Sequence, residues 1–319
     1  MEVLQFSPGH APALASAGVS GETTGFYWLD IERSESEWYH KAHQWLRTNL
    51  HERHVRDTLN DTHPPFYDGT EDYDLLIVRS LCSGCLPEAP ATQPIAFIVT
   101  DNAVISIRPP DDPVFVKLRQ RFLGTHGKSP TSSAMLLYLL LDQVTNTLLA
   151  GRDATSELLS RWQERLLQGD ELFTDWQALM QLHGQLRRLE VVTESEIDAV
   201  GEWRLQTSLV VEPSLAVRFN DLEEHLRRVY NHATVVQHDI DTLVQMYFSA
   251  NTQRTNEILQ FLAIISAIFL PLNLLAGLFG MNFTHLPLVQ LQFGHWILVG
   301  FMLLIVTGLL LWLRRRRWI

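Results

Sequence analysis

Two uncharged stretches near the C-terminus decide the fold: Ile258 to Phe279, ILQFLAIISAIFLPLNLLAGLF, and Trp296 to Leu313, WILVGFMLLIVTGLLLWL. They contain 22 and 18 residues. A bilayer core is about 30 Å thick and a helix rises about 1.5 Å per residue, so each stretch is long enough to span it. Neither follows a basic N-terminal region, which excludes a cleaved signal peptide. The sequence therefore predicts two transmembrane helices.

The charges beside these stretches predict their orientation. Arg254 precedes the first stretch and the basic run from Arg314 to Arg317 follows the second, whereas residues 280–295 between them contain no Lys or Arg. Cationic flanks remain on the cytoplasmic side of a membrane. We therefore expect a multi-pass protein of the bacterial inner membrane, in contact with lipid and with both termini in the cytoplasm.

The rest of the chain is acidic. Residues 1–256 hold 21 of the 25 basic and 35 of the 36 acidic residues, a formal net charge of -14. Such a field concentrates cations and repels nucleic acid, so we expect no DNA or RNA partner. Ordinary surface acidity that keeps a protein soluble is the alternative. No phosphate loop, metal-ligand motif or nucleophile with a base is found in this region, so we expect no enzyme activity.

Changes in the spacing of apolar residues along the chain predict an α+β cytoplasmic domain, a long stalk helix and two membrane helices. Strands are expected at 26–31, 73–81, 94–100 and 103–107, and helices at 36–50, 52–59 and 112–122. No Gly or Pro occurs between Ser214 and Pro271, so the stalk is expected to continue into the membrane. The predicted divisions are a flexible N-terminus (1–25), an α/β domain (26–129), antiparallel helices (130–212), the stalk (214–257), the first span (258–279), an outer loop (280–295), the second span (296–313) and a basic tail (314–319).

Two lines of residues follow the stalk at alternating spacings of three and four. The apolar seam predicts packing against partner helices. It consists of Phe219, Leu222, Leu226, Val229, Ala233, Val236, Ile240, Leu243 and Tyr247. The polar line lies nearly opposite, because two residues correspond to about 200° of rotation. It consists of Asn231, Val235, His238, Thr242, Gln245, Ser249, Thr252 and Asn256, and continues into the span through Leu259, Ala263, Ser266, Leu270, Asn273 and Gly277.

The continuation of the polar line across the membrane boundary favours a pore. Because a polar group facing lipid is costly, Ser266 and Asn273 are expected to face protein or water. One or two helices cannot enclose a pore, so the chain is expected to form a symmetric homo-oligomer with the first span at its axis. The alternative is a solvated stalk face, with Asn273 bonding a neighbouring helix in a membrane-anchored metal sensor or scaffold.

The first span ends in Leu278-Phe-Gly-Met-Asn-Phe283, where Gly280 suits a helix end and Asn282 presents an amide. With the preceding Phe269-Leu-Pro-Leu-Asn-Leu-Leu-Ala-Gly277 and the basic ending Arg314-Arg-Arg-Arg-Trp318, this sequence resembles the CorA family of divalent-cation channels and transporters. Less specific similarity extends upstream through Tyr247 to Glu257, and weaker similarity covers His54 to Ser106.

The resemblance implies a funnel-shaped homopentamer. It implies a selectivity filter of Gly280, Met281 and Asn282, with the Asn282 amides receiving a hydrated cation. It also implies that Asn273, Gly277 and Leu270 line the pore, and that Leu259 and Leu262 form its cytoplasmic constriction. Ser266, Ala263 and Asn256 join this pore lining because they lie on the polar line. No cofactor is expected apart from the transported cation.

The identity of the cation stays open on these residues. Mg²⁺ is favoured, with Co²⁺ or Ni²⁺ as further cargo, because Met281 is kept in the motif. However, the following segment, Phe283 to Val289, lacks the acid typical of magnesium-carrying members. His285 or His295 would suit Zn²⁺, the cargo of the ZntB branch. The resemblance further implies regulatory metal bound by cytoplasmic acids, for which Asp221, Asp239 and Asp241 are candidates; a solvated charged face is the alternative.

Overall fold

A computed structural model describes residues 1–7, 10–15, 25–35, 37–46, 48–82, 91–110, 112–124, 129–168, 176–281 and 293–316. The chain divides into two compact units, Met1–Leu243 and Val244–Ile319. The strands are β1 Glu2–Phe6, β2 Ala13–Leu14, β3 Phe26–Glu32, β4 Phe66–Gly69, β5 Asp74–Leu81, β6 Thr92–Val99 and β7 Ala103–Arg108. The helices are α1 Trp38–Leu46, α2 Glu52–Leu59, α3 Pro113–Leu123, α4 Ser133–Gln168, α5 Trp176–Gln206, α6 Pro213–Gly280 and α7 Gly294–Arg315.

The first unit is built on a mixed sheet with strand order β2-β1-β3-β7-β6-β5-β4. Its neighbouring strands are antiparallel except β3 and β7, which are parallel. Successive side chains of a strand point to opposite faces, and here helices cover both. Trp28 of β3 joins a core formed with α3, α4, α5 and α6, whereas the next residue, Leu29, packs in a core with Trp38 and Trp45 of α1. The sheet is therefore the middle layer of three.

Most of the predicted elements of this unit are confirmed. The four predicted strands correspond to β3, β5, β6 and β7, and the predicted helices at 52–59 and 112–122 correspond to α2 and α3. The helix expected at 36–50 is shorter, since α1 covers only Trp38–Leu46. Beyond its end, the side chain of Asn49 forms a hydrogen bond with the His43 ring at 2.8 Å. Asn favours turns over helix interiors because its amide competes for hydrogen bonds. The short edge strand β4 was not predicted.

The expectation of a flexible N-terminus over residues 1–25 is wrong for residues 2–6. These form β1, which pairs with β3 in the register Leu4 opposite Trp28. Val3, Leu4 and Phe6 are buried, and the Phe6 ring stacks on Phe26 at 5.0 Å. The physical reason is an apolar strand pattern in front of the Gly- and Ser-rich segment, which composition averaged over 25 residues conceals.

The apolar seam of α6 packs inside the chain. Its residues from Phe219 to Leu243 are buried, and Tyr247 is partly buried. The Phe219 ring lies 4.9 Å from Trp203 of α5 and 5.5 Å from Tyr138 of α4. Farther along, Gln237 donates to Glu190 of α5 at 2.9 Å. The partner helices that the seam predicts are therefore α4 and α5 of the same chain.

In the described part of the chain, three helices have the length and apolar composition to cross a membrane: α4, α6 and α7. They differ in how much of their most apolar window is buried inside the chain, which is 44% for α4, 0% for α6 and 6% for α7. α4 is thus the apolar helix that packs on β5, β6 and β7. The helices that leave their apolar windows exposed are α6 and α7, the two that the sequence predicts as spans.

α6 is one continuous helix from Pro213 to Gly280, as the sequence predicts, and contains Pro271 in its interior. A proline lacks the N–H that would bond the carbonyl one turn earlier, here that of Ala267. Helices in lipid tolerate this because neighbouring helices and local adjustment satisfy the freed carbonyl. At 68 residues the helix is about 100 Å long.

A buried acid lies where the sheet meets the long helices. Glu196 of α5 is 1% exposed, and one of its carboxyl oxygens accepts the backbone N–H of Arg79 at 2.5 Å. The other oxygen has no hydrogen-bond partner among the described residues. Burial raises the pKa of Glu196 to about 8. The Glu196 carboxyl group is therefore protonated at neutral pH in the folded protein. Leu222 and Leu226 of the seam line the same small cavity as Glu196.

Truncating the seam is expected to destabilise the protein. Leu226 is 3% exposed, so Leu226→Ala should lower the free energy of unfolding by about 2–5 kcal/mol through lost burial and a cavity. Arg227→Ala, at the exposed neighbouring position, should change it by less than about 0.5 kcal/mol. Urea unfolding followed by tryptophan fluorescence measures both. Equal effects would contradict the packing of the seam.

Glu196 should make stability depend on pH. An unfolded glutamate releases its proton near pH 4.5 and the native one near pH 8, so between these values native stability falls as pH rises. Glu196→Gln should therefore be equally stable at pH 4.5 and more stable than the native chain at pH 8.5, by at most about 5 kcal/mol. The exposed Glu194→Gln is the control. Thermal unfolding of both variants and the native chain at the two pH values tests this prediction. If the stability of Glu196→Gln and of Glu194→Gln changed with pH by the same amount, the assignment of Glu196 as a buried protonated acid would be contradicted.

Candidate functional site

The candidate site is the face of α6 that carries the membrane part of the polar line. The structure places Asn256, Leu259, Ala263, Ser266, Leu270, Asn273 and Gly277 on this face, all exposed in the single chain. Leu262, one turn from Leu259, is 57% exposed. Gly280 ends the helix, and Met281 follows it and is 54% exposed. Asn282 lies outside the described residues, as does His285.

The face extends over about the thickness of a bilayer core and stays on one side of the helix. From Asn256 to Gly277 the helix rises by about 32 Å, close to the thickness of a bilayer core. A repeat of seven residues drifts by about 20° per heptad on a straight helix, so the three heptads here turn by about 60°. The candidate residues therefore remain on one side of the helix across the whole span.

Two glycines on this face have no packing partner among the described residues. A side chain added at Gly277 or Gly280 would meet no atom within 4 Å among the described residues. In contrast, a side chain at Gly151 of α4 would meet Leu81 at 2.6 Å. Close packing within the chain thus explains the glycine in α4 but neither glycine at the end of α6.

Hydrogen bonds at the N-terminal end of the face are local to the helix. The hydroxyl of Thr252 donates to the carbonyl of Phe248 at 2.8 Å. Gln253 donates to Glu257 at 3.0 Å, one turn farther on. Glu257 is the last acid of the chain, and this pair, which sequence reasoning missed although its spacing of four residues is visible, holds it beside the polar line.

Of the three candidate regulatory acids on α6, Asp239 and Asp241 are two residues apart, about 200° around the helix, and Asp221 lies nearer the start of the helix. Asp221 and Asp239 are 18 residues from each other, which corresponds to about 27 Å. The Oδ1 atom of Asp241 is 3.4 Å from Nε2 of His183 in α5. Among the described residues no three His, Cys, Asp or Glu side chains are grouped so that they could hold a metal ion.

The two cysteines of the sequence form Cys82-Ser-Gly-Cys85, for which the flanking strand patterns predict a plain hairpin loop, with half of a metal site or a redox pair as the alternatives. Cys82 follows β5, and its N–H donates to the carbonyl of Ala91 at 2.8 Å just before β6. β5 and β6 are antiparallel with Leu81 opposite Thr92, which confirms the predicted hairpin. Cys85 lies outside the described residues, so the alternatives of a metal or redox pair stay untested.

Comparison with known proteins gives a consistent result. The family model "CorA-like Mg2+ transporter protein" matches residues 23–315. A cobalt/magnesium transport protein CorA of Thermotoga maritima is 22% identical, covering 93% of this chain and 82% of the relative. A zinc transport protein ZntB of Pectobacterium carotovorum is also 22% identical, with 91% and 90% covered. The structure of the CorA magnesium transporter from Methanocaldococcus jannaschii superimposes with a TM-score of 0.82 at 16% identity, covering 100% of this chain and 99% of the other.

Proposed function

The chain belongs to the CorA family and transports divalent cations across a membrane, and we propose that it conducts them along the polar face of α6. It is a membrane protein with C-terminal helical spans and is not an enzyme. The observation that carries the proposal is the exposed face of α6, in which Ser266 and Asn273 continue the polar line through an otherwise apolar span.

A homopentamer is the assembly that we propose for this pathway. A face exposed in one chain and bearing Asn273 needs protein or water against it inside a bilayer. Repeating the chain around an axis supplies both, because the copies enclose a wet channel between identical faces. A side chain at Gly277 would meet no described atom within 4 Å, and this glycine then gives width to the channel near its outer end.

We propose that Asn282, with Gly280 and Met281, forms the selectivity filter at the outer end. Mg²⁺ loses its water reluctantly, and a ring of amide oxygens can receive the hydrated ion. Leu259 and Leu262, both more than half exposed, then form an apolar constriction at the cytoplasmic end. Apolar constrictions gate ion flow by excluding water.

We propose Mg²⁺ as the principal cargo, with Zn²⁺ as the second candidate. The family model names Mg²⁺, but a magnesium/cobalt transporter and a zinc transporter are each 22% identical to the chain. The absence of acids between Met281 and His295 favours the softer ion, and Met281 itself favours magnesium. His295 is exposed at the start of α7, where a Zn²⁺ pathway would use it.

The proposed location is the bacterial inner membrane with both termini in the cytoplasm. The basic run after the second span and the uncharged loop between the spans support this orientation. We also propose that Asp221, Asp239 and Asp241 bind regulatory cations. Asp221 lies about 27 Å from Asp239, and Asp239 and Asp241 lie on different sides of the helix, so we propose that a second copy supplies the remaining ligands of such sites.

Loss of the Asn282 amide should reduce transport. In proteoliposomes loaded with Mg²⁺-selective or Zn²⁺-selective dyes, Asn282→Ala is expected to lower influx by roughly tenfold or more, because each copy loses a hydrogen bond to the hydrated ion. Asn146→Ala, an exposed asparagine of α4, is the control and should leave influx unchanged. Equal influx in Asn282→Ala and the native chain would refute the filter.

Cysteine reactivity should separate the two sides of α6. In a background with Cys82 and Cys85 replaced by Ser, Ser266→Cys should react with a charged thiol reagent at least about tenfold faster than Ile264→Cys, since a wet wall permits thiolate formation. The two positions are about 200° apart on the helix. Equal rates in liposomes would contradict the channel-lining face.

The cation can be decided by one substitution. If Zn²⁺ is carried, His295→Ala should lower Zn²⁺ influx by roughly tenfold, the usual cost of a lost ligand contact, and leave Mg²⁺ influx unchanged. If Mg²⁺ is the cargo, the variant should match the native chain with both dyes. The same proteoliposome assay measures both fluxes.

A further inference from the structure

A cavity of about 590 Å³ lies in the first unit, away from α6. It is formed where α5 passes the ends of β5 and β6 and the segment before β4. Three arginines line it: Arg79 at the end of β5, and Arg187 and Arg188 on α5. None of the described residues that line it is an acid. In a region with a net charge of -14, this is a local concentration of positive charge.

Arg79 is held in place but is not neutralised. Its guanidinium donates to the hydroxyl of Thr92 at 2.9 Å, the carbonyl of Thr92 at 2.6 Å and the carbonyl of His63 at 2.8 Å. These acceptors are uncharged. Within the described part of the chain no carboxylate lies within 4 Å of it, whereas the other arginines of this sheet layer have one: Arg33 binds Asp61, and Arg108 binds Asp30.

The acid nearest to Arg79 does not balance its charge. Glu196 accepts only the backbone N–H of Arg79, and burial raises the pKa of this carboxyl to about 8. It is therefore neutral at cytoplasmic pH. Burial, the largest effect, lowers the pKa of Arg79, and the Asp61 carboxylate, which favours its charged form, is already paired with Arg33. An anion from solution would favour the charged guanidinium further.

The other walls are suited to a ligand with a ring. Arg187 and Arg188 are exposed and make no ion pair with the described residues, so their guanidinium groups are available to an anion. Pro64, Leu189 and Val192 provide apolar surface in the same cavity. Gly184 keeps the helix side open, since a side chain there would meet no atom within 4 Å among the described residues.

We propose that this cavity binds a nucleotide, with its phosphates on Arg79, Arg187 and Arg188 and its base against the apolar wall. Guanidinium groups bind phosphate through paired hydrogen bonds. A cavity of this size is within the usual range for ligands of about this class. The cavity contains no residue of the proposed ion pathway, so nucleotide binding can be tested independently of ion transport.

The test is binding of ATP to the full-length protein in detergent, measured by isothermal titration calorimetry at constant free Mg²⁺. We expect saturable binding that Arg187→Glu with Arg188→Glu weakens by at least roughly tenfold. Gly184→Leu should weaken it similarly by filling the cavity, and a leucine is well tolerated in a helix. Arg161→Glu, an exposed arginine of α4, is the matched control and should bind as the native chain does.

Two further ligands decide the chemistry. Inorganic triphosphate and adenosine should each bind at least about tenfold more weakly than ATP, because each uses one wall only. No saturable ATP binding up to about 5 mM, or unchanged binding in both cavity variants, overturns the site. Triphosphate, or a short-chain phosphatidic acid, binding as tightly as ATP overturns the nucleotide assignment.

Discussion

The packing of the apolar seam against α4 and α5 is the interaction on which the rest of the structure depends. α6 has 68 residues, and the apolar surface of its last third is unstable in water. Its first third is held mainly by burial of the seam, with polar contacts such as Arg204 to Glu223 at 3.1 Å beside it. Because Phe219 to Leu243 are buried by the same chain, this part of α6 is packed before any second copy is involved. The polar line, nearly opposite the seam on the same helix, is then left exposed.

The sequence predicts the seam, the polar line and the membrane spans because each is a pattern that recurs over many residues. The seam and the spans extend over many residues, so their periodicity and length are clear from composition alone. β1 and β4 are short, and their burial depends on pairing with distant strands, such as Leu4 with Trp28. Composition in a window of 25 residues cannot detect a strand of five. The N-terminal strand was therefore missed for a physical reason, since its stability is tertiary.

The two candidate sites differ in the same way. The face of α6 is one helix read at constant spacing, so Ser266, Asn273 and Gly277 are found by counting along the sequence. The arginine-lined cavity joins Arg79 with Arg187, residues more than 100 positions apart, and nothing in either local sequence connects them. Its most informative property, an arginine bonded only by neutral acceptors, depends on hydrogen bonds and burial that only the folded chain defines.

The burial of the seam within one chain also sets an order of events during synthesis. Residues 1–243 form a compact unit, and all of them leave the ribosome before the first span does. The sheet, α4, α5 and the start of α6 can thus fold while the membrane segments are still being made. Assembly then joins subunits that are already folded, and the contacts between copies are free to change in evolution without disturbing the fold of each.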